Sequence, residues 1–215
     1  MRKAGPIGRI KLGTETGGGF RNIAIANCTF EYCRGLALEQ VDGGVLEDVV
    51  VTNLVMRDIV TSYLPHWTDT RAWVIARPMT GFAETFSQYI VEVFPGGGST
   101  RPEPDAGAEA ILFVVSGQAT LTLDGKPHTL RAGGYAYLPP GAKWKLANKA
   151  KTSLRFHWIR KLYEAVDGIE IPAAFVANEQ DEPILWMPDT NNRWGTTRFV
   201  DPTNVAHDMH VNIVT

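Results

Sequence analysis

Three groups of residues in this 215-residue chain have side chains and spacings that could do chemistry. Glu103 and Asp105 flank Pro104 in the run STRPEPDAGAE. Two carboxylates that close could hold a hard cation weakly, but a Gly/Pro-rich loop makes a solvated acidic turn the simpler reading. His207 and His210 lie three apart in VAHDMHVNIVT. On a helix that spacing would put both imidazoles on one face to ligate a metal. The surrounding residues read as a strand, where positions i and i+3 point to opposite faces, so a surface or interface place is expected for both. Arg9 and Lys11, in GRIKLG, read by themselves as a solvated pair of cations. His128 and His157 fall within strand candidates and His66 in a PHW turn, which leaves no Ser-His-Asp or Cys-His constellation. Cys28 and Cys33 lack CxxC spacing and read as reduced, packed thiols.

The elements that must position these residues come in two textures. With 44% hydrophobic residues the chain can bury a sizeable core, and a formal charge of −2 gives no electrostatic case for a nucleic-acid or membrane-surface binder. No apolar run approaches the roughly 20 residues that cross a bilayer, and no h-region follows the first charges, so a cytoplasmic address is expected. Residues 5–60 are rich in Gly, Asn, Val and Ile, with no Trp and with Pro6 as their only proline. All six Trp and twelve of the thirteen Pro lie elsewhere, which suggests two units of different origin.

The first unit carries an internal repeat. FRNIAIANCTF, from Phe20, aligns with LEDVVVTNLVM, from Leu46, at an offset of 26 residues. Phe20, Ile23, Ile25, Cys28 and Phe30 then match Leu46, Val49, Val51, Leu54 and Met56, and Asn27 falls on Asn53. Each copy alternates as a strand does, with a short strand-like piece, Gly35–Leu38, between them. Short strands repeating in the twenties predict a coil of parallel β-solenoid, with the asparagines stacked as a hydrogen-bonded ladder. The run GRIKLGTE followed by GGGFRNIAIANCTFEYCRGLALE resembles the polygalacturonase-like glycoside hydrolases, which are right-handed parallel β-helices. The resemblance implies a sugar-binding role for Arg9 and Lys11. It does not imply catalysis, because the family's catalytic aspartate motifs are absent here and inverting hydrolysis needs two carboxyl groups.

The second unit reads as a small barrel. From Ala72 onward, short strand candidates alternate with turn signals; Asp124-Gly125 marks a two-residue hairpin, and Pro95–Gly98 and Pro139–Gly141 are expected to end other strands. This pattern predicts an antiparallel sandwich or jelly roll. The spacing Gly133-x5-Pro139-x-Gly141-x2-Trp144-x3-Asn148 resembles the second motif of the cupin superfamily, with Trp144 where metal-binding cupins carry histidine. Counting back from Gly117 places Ala110 at the glutamate position of the first motif, and Glu103 and Asp105 at its two histidine positions. Imidazoles plus one carboxylate would hold a transition metal there, so these replacements imply a metal-free cupin.

Read as a whole, PHWTDTRAWVIARPM through AGGYAYLPPGAKW to DPTNVAHDMHVNIV resembles the N-terminal half of the bacterial (S)-ureidoglycine aminohydrolases over residues 64–215. These are two-cupin proteins of purine and allantoin breakdown that turn ureidoglycine into ureidoglycolate and ammonia. The resemblance implies a small ureide as partner and a manganese ion in the second cupin, held by a Glu-x-His-x3-His group that would lie beyond Thr215. A chain truncated there is expected to be inactive alone, with no catalytic or metal residue of its own. Alternatives are a metal-free cupin module that binds or forms homo-oligomers through its strands, and a polygalacturonase-like carbohydrate binder. The expected architecture is all-β: a β-helix fragment over 1–60, a jelly-roll cupin over 61–167, and over 168–215 a linker and first strand of a second cupin. Within that linker Ile184, Leu185, Trp186, Met187 and Trp194 would pack against another domain. Helix should be scarce, with Arg160–Glu164 one short turn.

Overall fold

The alternating segments of the first unit become strands. The computed structural model of the chain describes residues 10–13, 15–33, 35–58, 64–76 and 85–215, with the side chains of 31–33 and 55–58 left aside. Its contacts divide the chain into Met1–Thr61 and Ser62–Thr215. In the first unit β1 (Ile10–Leu12) pairs in parallel with β3 (Leu36–Leu38), and β2 (Phe20–Cys33) with β4 (Leu46–Asp58). Ile10 lies opposite Leu36 and Phe20 opposite Leu46, so both ladders keep the 26-residue offset of the repeat. At one bend the Asn53 amide donates to Asn27 Oδ1 at 2.7 Å, and both asparagines have positive φ, a conformation Asn tolerates. Gly44 also has positive φ, and a Cβ there would collide with the Thr16 carbonyl.

These residues supply two parallel sheets of two strands each, and Thr16 is the only buried side chain among those described. That is all-β structure, but it falls short of the β-helix that the resemblance implies. Stacked coils enclose a core only when about three or more are present.

The second unit is a nearly closed antiparallel barrel. Its strands are β5 (Thr68–Ala76), β6 (Phe86–Ser99), β7 (Ala108–Ser116), β8 (Gln118–Leu123), β9 (Lys126–Arg131), β10 (Gly134–Leu138), β11 (Trp144–Ala147), β12 (Leu154–Leu162) and β13 (Phe175–Asn178). They run in the order β13-β10-β7-β12-β6-β11-β8-β9, with β5 also on β6. Asp124 and Gly125 both have positive φ and join β8 to β9 as the expected tight hairpin. Pro95–Gly98 does not end a strand. It lies inside β6, where Gly96 and Gly98 take positive φ and bend the strand, so that its first part pairs with β12 and its end with β11.

Inward-facing residues such as Val91, Val93, Leu112, Leu121, Leu154 and Phe156 fill the barrel. A second cluster covers its outer face: Ile111, Tyr135, Tyr137, Ile159 and Met209, with Phe175 and Phe199 against them. Because both faces of β7 are covered, residues 108–112 are all buried and the inside–outside alternation is lost from its sequence.

The helical turn expected at Arg160–Glu164 is absent, since β12 continues to Leu162 and pairs there with β7. VAHDMHVNIVT forms a strand only over its end, β16 (Asn212–Val214), which joins β14 (Ile184–Trp186) and β15 (Gly195–Arg198) in a small antiparallel sheet. Among the described residues no helix is long and apolar enough to cross a membrane.

Candidate functional site

β11 begins at Trp144, and its alternation turns Trp144 and Leu146 into the barrel. The Trp144 indole is 5% exposed and meets Trp67 and Trp158 edge-on at 6.3 and 6.2 Å between ring centres. Trp67 is held in turn by its indole N–H, which donates to the Pro102 carbonyl at 3.3 Å. Beside this indole cluster a cavity of about 210 Å³ opens, lined by Arg101, Glu103, Asp105, Ala110, Leu138 and Trp144 among others. The fold therefore brings all four residues singled out by motif spacing to one mouth.

Two of the four offer a metal ion no ligating atom. Ala110 has no donor atom, and an indole N–H offers no lone pair. Glu103 departs from the solvated turn expected of it: its side chain is 9% exposed and clamped by Arg160, whose Nε and Nη2 donate at 2.7 and 2.6 Å. Arg160 comes from β12, 57 positions away, and no local pattern announces that pairing. Asp105 does close a turn, accepting the Gly107 N–H at 3.0 Å. Among the described residues no three His, Cys, Asp or Glu side chains converge so as to hold a metal ion.

Lys11 pairs with Glu39 at 2.8 Å, and Arg9 lies outside the described residues. Cys28 is a free, half-buried thiol; the side chain of Cys33 is not described. His157, on β12, faces Gln88 at 3.3 Å, and burial pushes its pKa down. His207 is not at the surface: it is buried with its ring edge-on to Tyr137 at 4.7 Å, and His210 lies 6.4 Å from it. The residues around them are irregular, so strand alternation does not apply.

A second group of ionisable residues escaped the sequence reading. Glu109, fully buried on the outer side of β7, accepts the Tyr137 hydroxyl at 3.0 Å and contacts Asp208. Burial first, then the hydrogen bond and charge of Asp208, push its pKa up to about 8. Burial alone would raise Asp208 too, but Glu109, the Glu164 N–H and Lys161 outweigh it and hold that carboxyl below its usual range. The available signal was an acid opening a continuous apolar run, AEAILFVV, of the kind found in strands covered on both faces.

Residues 80–163 match the EutQ-like cupin domain. The barrel is consistent with a cupin jelly roll. Over 110 residues, 51% of this chain and 41% of that protein, the sequence is 28% identical to the (S)-ureidoglycine aminohydrolase of Escherichia coli K12. The crystal structure of a glyoxylate-induced protein from Pseudomonas aeruginosa superposes with a TM-score of 0.70 at 62% identity, covering 74% of this chain and 59% of that one. YlbA from E. coli, with a TM-score of 0.62 at 24% identity over 72% of this chain and 59% of its own, shares the fold. The chain thus spans about half the length of these relatives. The cupin match lies wholly within the second unit.

Proposed function

We propose that residues 62–215 are a metal-free cupin half of a ureidoglycine-aminohydrolase-type protein, built to support a ureide-hydrolysing site rather than to contain it. The observation that carries this reading is the mouth itself, where Trp144 and Ala110 stand at ligand positions and Arg160 occupies Glu103. Hydrolysing a ureide C–N bond needs an activated water and a proton for the leaving amine. A carboxylate clamped by arginine is a poor base, and an alanine and an indole are none. The activity would therefore draw on a manganese-binding barrel outside these 215 residues. A small ureide as ligand and a cytoplasmic location belong to the same proposal.

The test is ammonia release by the purified chain given ureidoglycine and Mn²⁺. The rate should stay at the uncatalysed background, and Mn²⁺ should leave the melting temperature unchanged, whereas a filled site at 100-fold excess over Kd would add about 2.7 kcal/mol. Turnover above background would overturn the proposal.

A second reading, a module for self-assembly, is favoured by the exposure of Ile184, Leu185, Trp186, Met187 and Trp194 around β14 and β15. Light scattering after size exclusion should then give a dimer or larger, and a clean monomer would count against it. The carbohydrate reading rests on Lys11, which is paired with Glu39, and on Arg9, which lies outside the described residues.

A further inference from the structure

The Glu109 group lies on the side of β7 opposite Ala110 and plays no part in the ureide reading. Several elements meet there. β10 brings Tyr135 and Tyr137, β12 brings Lys161, and the chain beyond it brings Tyr163 and the Glu164 N–H; segment 199–211 brings His207, Asp208 and His210. Most polar atoms have fixed partners. The Tyr137 hydroxyl donates to Glu109 Oε2 at 3.0 Å. Asp208 Oδ2 takes Lys161 Nζ at 3.0 Å and the Glu164 N–H at 2.7 Å. The Tyr163 hydroxyl donates to the Ala206 carbonyl at 2.9 Å.

Glu109 Oε1 and Asp208 Oδ1 are both buried and both without a donor, and the Tyr135 hydroxyl and His207 Nδ1 nearby are also buried without a partner. The two carboxyl groups nevertheless contact one another. Two ionised carboxylates so placed repel, and each bare oxygen loses its hydration with nothing in return. One proton between them satisfies both atoms.

We propose that Glu109 and Asp208 share a single proton, and that this proton latches segment 199–211 onto the outer face of the cupin and lets it go as pH rises. The segment is also held by the Lys161–Asp208 ion pair, by the bonds from the Glu164 N–H and the Tyr163 hydroxyl, and by ring and apolar contacts: Phe199 stacks on Tyr135 at 4.0 Å, His207 meets Tyr137 edge-on, and Met209 is buried. Lys161 balances Asp208, so ionising Glu109 would leave an uncompensated negative charge beneath the segment. The proton resides on Glu109, because Lys161 and the Glu164 N–H stabilise Asp208 as the anion. Burial raises the Tyr135 and Tyr137 pKa values and lowers that of His207, so all three stay neutral as the carboxyl titrates.

The direction follows from linkage. Below about pH 4.5, Glu109 is protonated whether the segment is docked or free. Between that pH and about 8 the free form loses the proton while the docked form keeps it, so docking weakens, by at most about tenfold per pH unit. Above about 8 both forms are ionised and the dependence levels off.

The experiment uses the full chain with ¹³C-labelled glutamate carboxyls, assigning Glu109 by its loss in Glu109→Gln. Alongside it, amide exchange across 204–211 is followed from pH 5 to 9 and corrected for the intrinsic rate. The Glu109 resonance should titrate near pH 8. Protection of the segment should fall with rising pH in the parent chain and stay flat in Glu109→Gln, whose amide stands in for the protonated acid. In Asp208→Asn, which removes the neighbouring anion, the Glu109 midpoint should drop. A Glu109 midpoint in the ordinary carboxylate range, equal pH dependence of protection in parent and Glu109→Gln, or an unmoved midpoint in Asp208→Asn would each overturn the latch.

Discussion

Replacing Trp144 with alanine should destabilise the barrel by about 3–5 kcal/mol, the range for deleting a large aromatic from a packed core. The size follows from what the indole touches. It is buried, meets Trp67 and Trp158 edge-on, and sits at the start of β11, opposite Leu123 of β8. Edge-to-face aromatic pairs add about 0.5–1.5 kcal/mol each to the area term, and neither partner can follow the lost ring. Trp67 is tied to Pro102 and Trp158 lies within the β12 ladders. Urea unfolding of the parent chain, Trp144→Ala and Trp144→Phe measures the effect. The phenylalanine variant should lose less than the alanine variant, and neither should change the response to Mn²⁺. An unchanged urea midpoint in Trp144→Ala would mean that the indole is not part of the core.

What the sequence makes legible is local pattern. The 26-residue register of β2 on β4, the Asn27–Asn53 bond and the Asp124-Gly125 hairpin follow from alternation, repetition and turn chemistry, which act over a few residues. The mouth was legible too, because motif spacing is also a local property. Features that depend on what lies across the fold were misread. Pro95–Gly98 has the composition of a loop, yet β6 pairs with β12 before it and with β11 at its end, which makes it a bend within a strand. Glu103 looked solvated because Arg160 is 57 positions away. Glu109 and His207 depend on a chain segment folding back over the outer face of β10 and β7, and nothing in the alternation of β7 says that both of its faces are covered. The expected β-helix fragment lacks support for a different reason: among the described residues, two rungs satisfy the repeat without enclosing a core.

Asn148→Ala should cost about 2–4 kcal/mol, since each buried group left without its partner costs about 1–3 kcal/mol. Asn148 is 1% exposed, and its amide donates to the carbonyls of Val93 and Thr152, both at 2.9 Å, while Oδ1 accepts the Ala150 N–H at 3.0 Å. Its backbone pairs with Gly96 and Gly97. One side chain thus ties the bend of β6 to the turn that leads into β12, and Arg101, Glu103 and Asp105 at the mouth follow directly after that bend. Asn148→Asp keeps the acceptor but loses both donors and buries a charge, so it should be at least as damaging as alanine. Urea midpoints for both variants decide the matter, and a loss under about 0.5 kcal/mol in Asn148→Ala would mean that the glycines hold the bend unaided. The contrast within the motif bears on function. Its glycines and Asn148 shape turns that any barrel of this kind needs, whereas the position that would carry histidine holds a core indole. A barrel can keep every residue that its bends require while the position that would carry histidine packs as a core indole, which is how a motif can match in spacing without that imidazole.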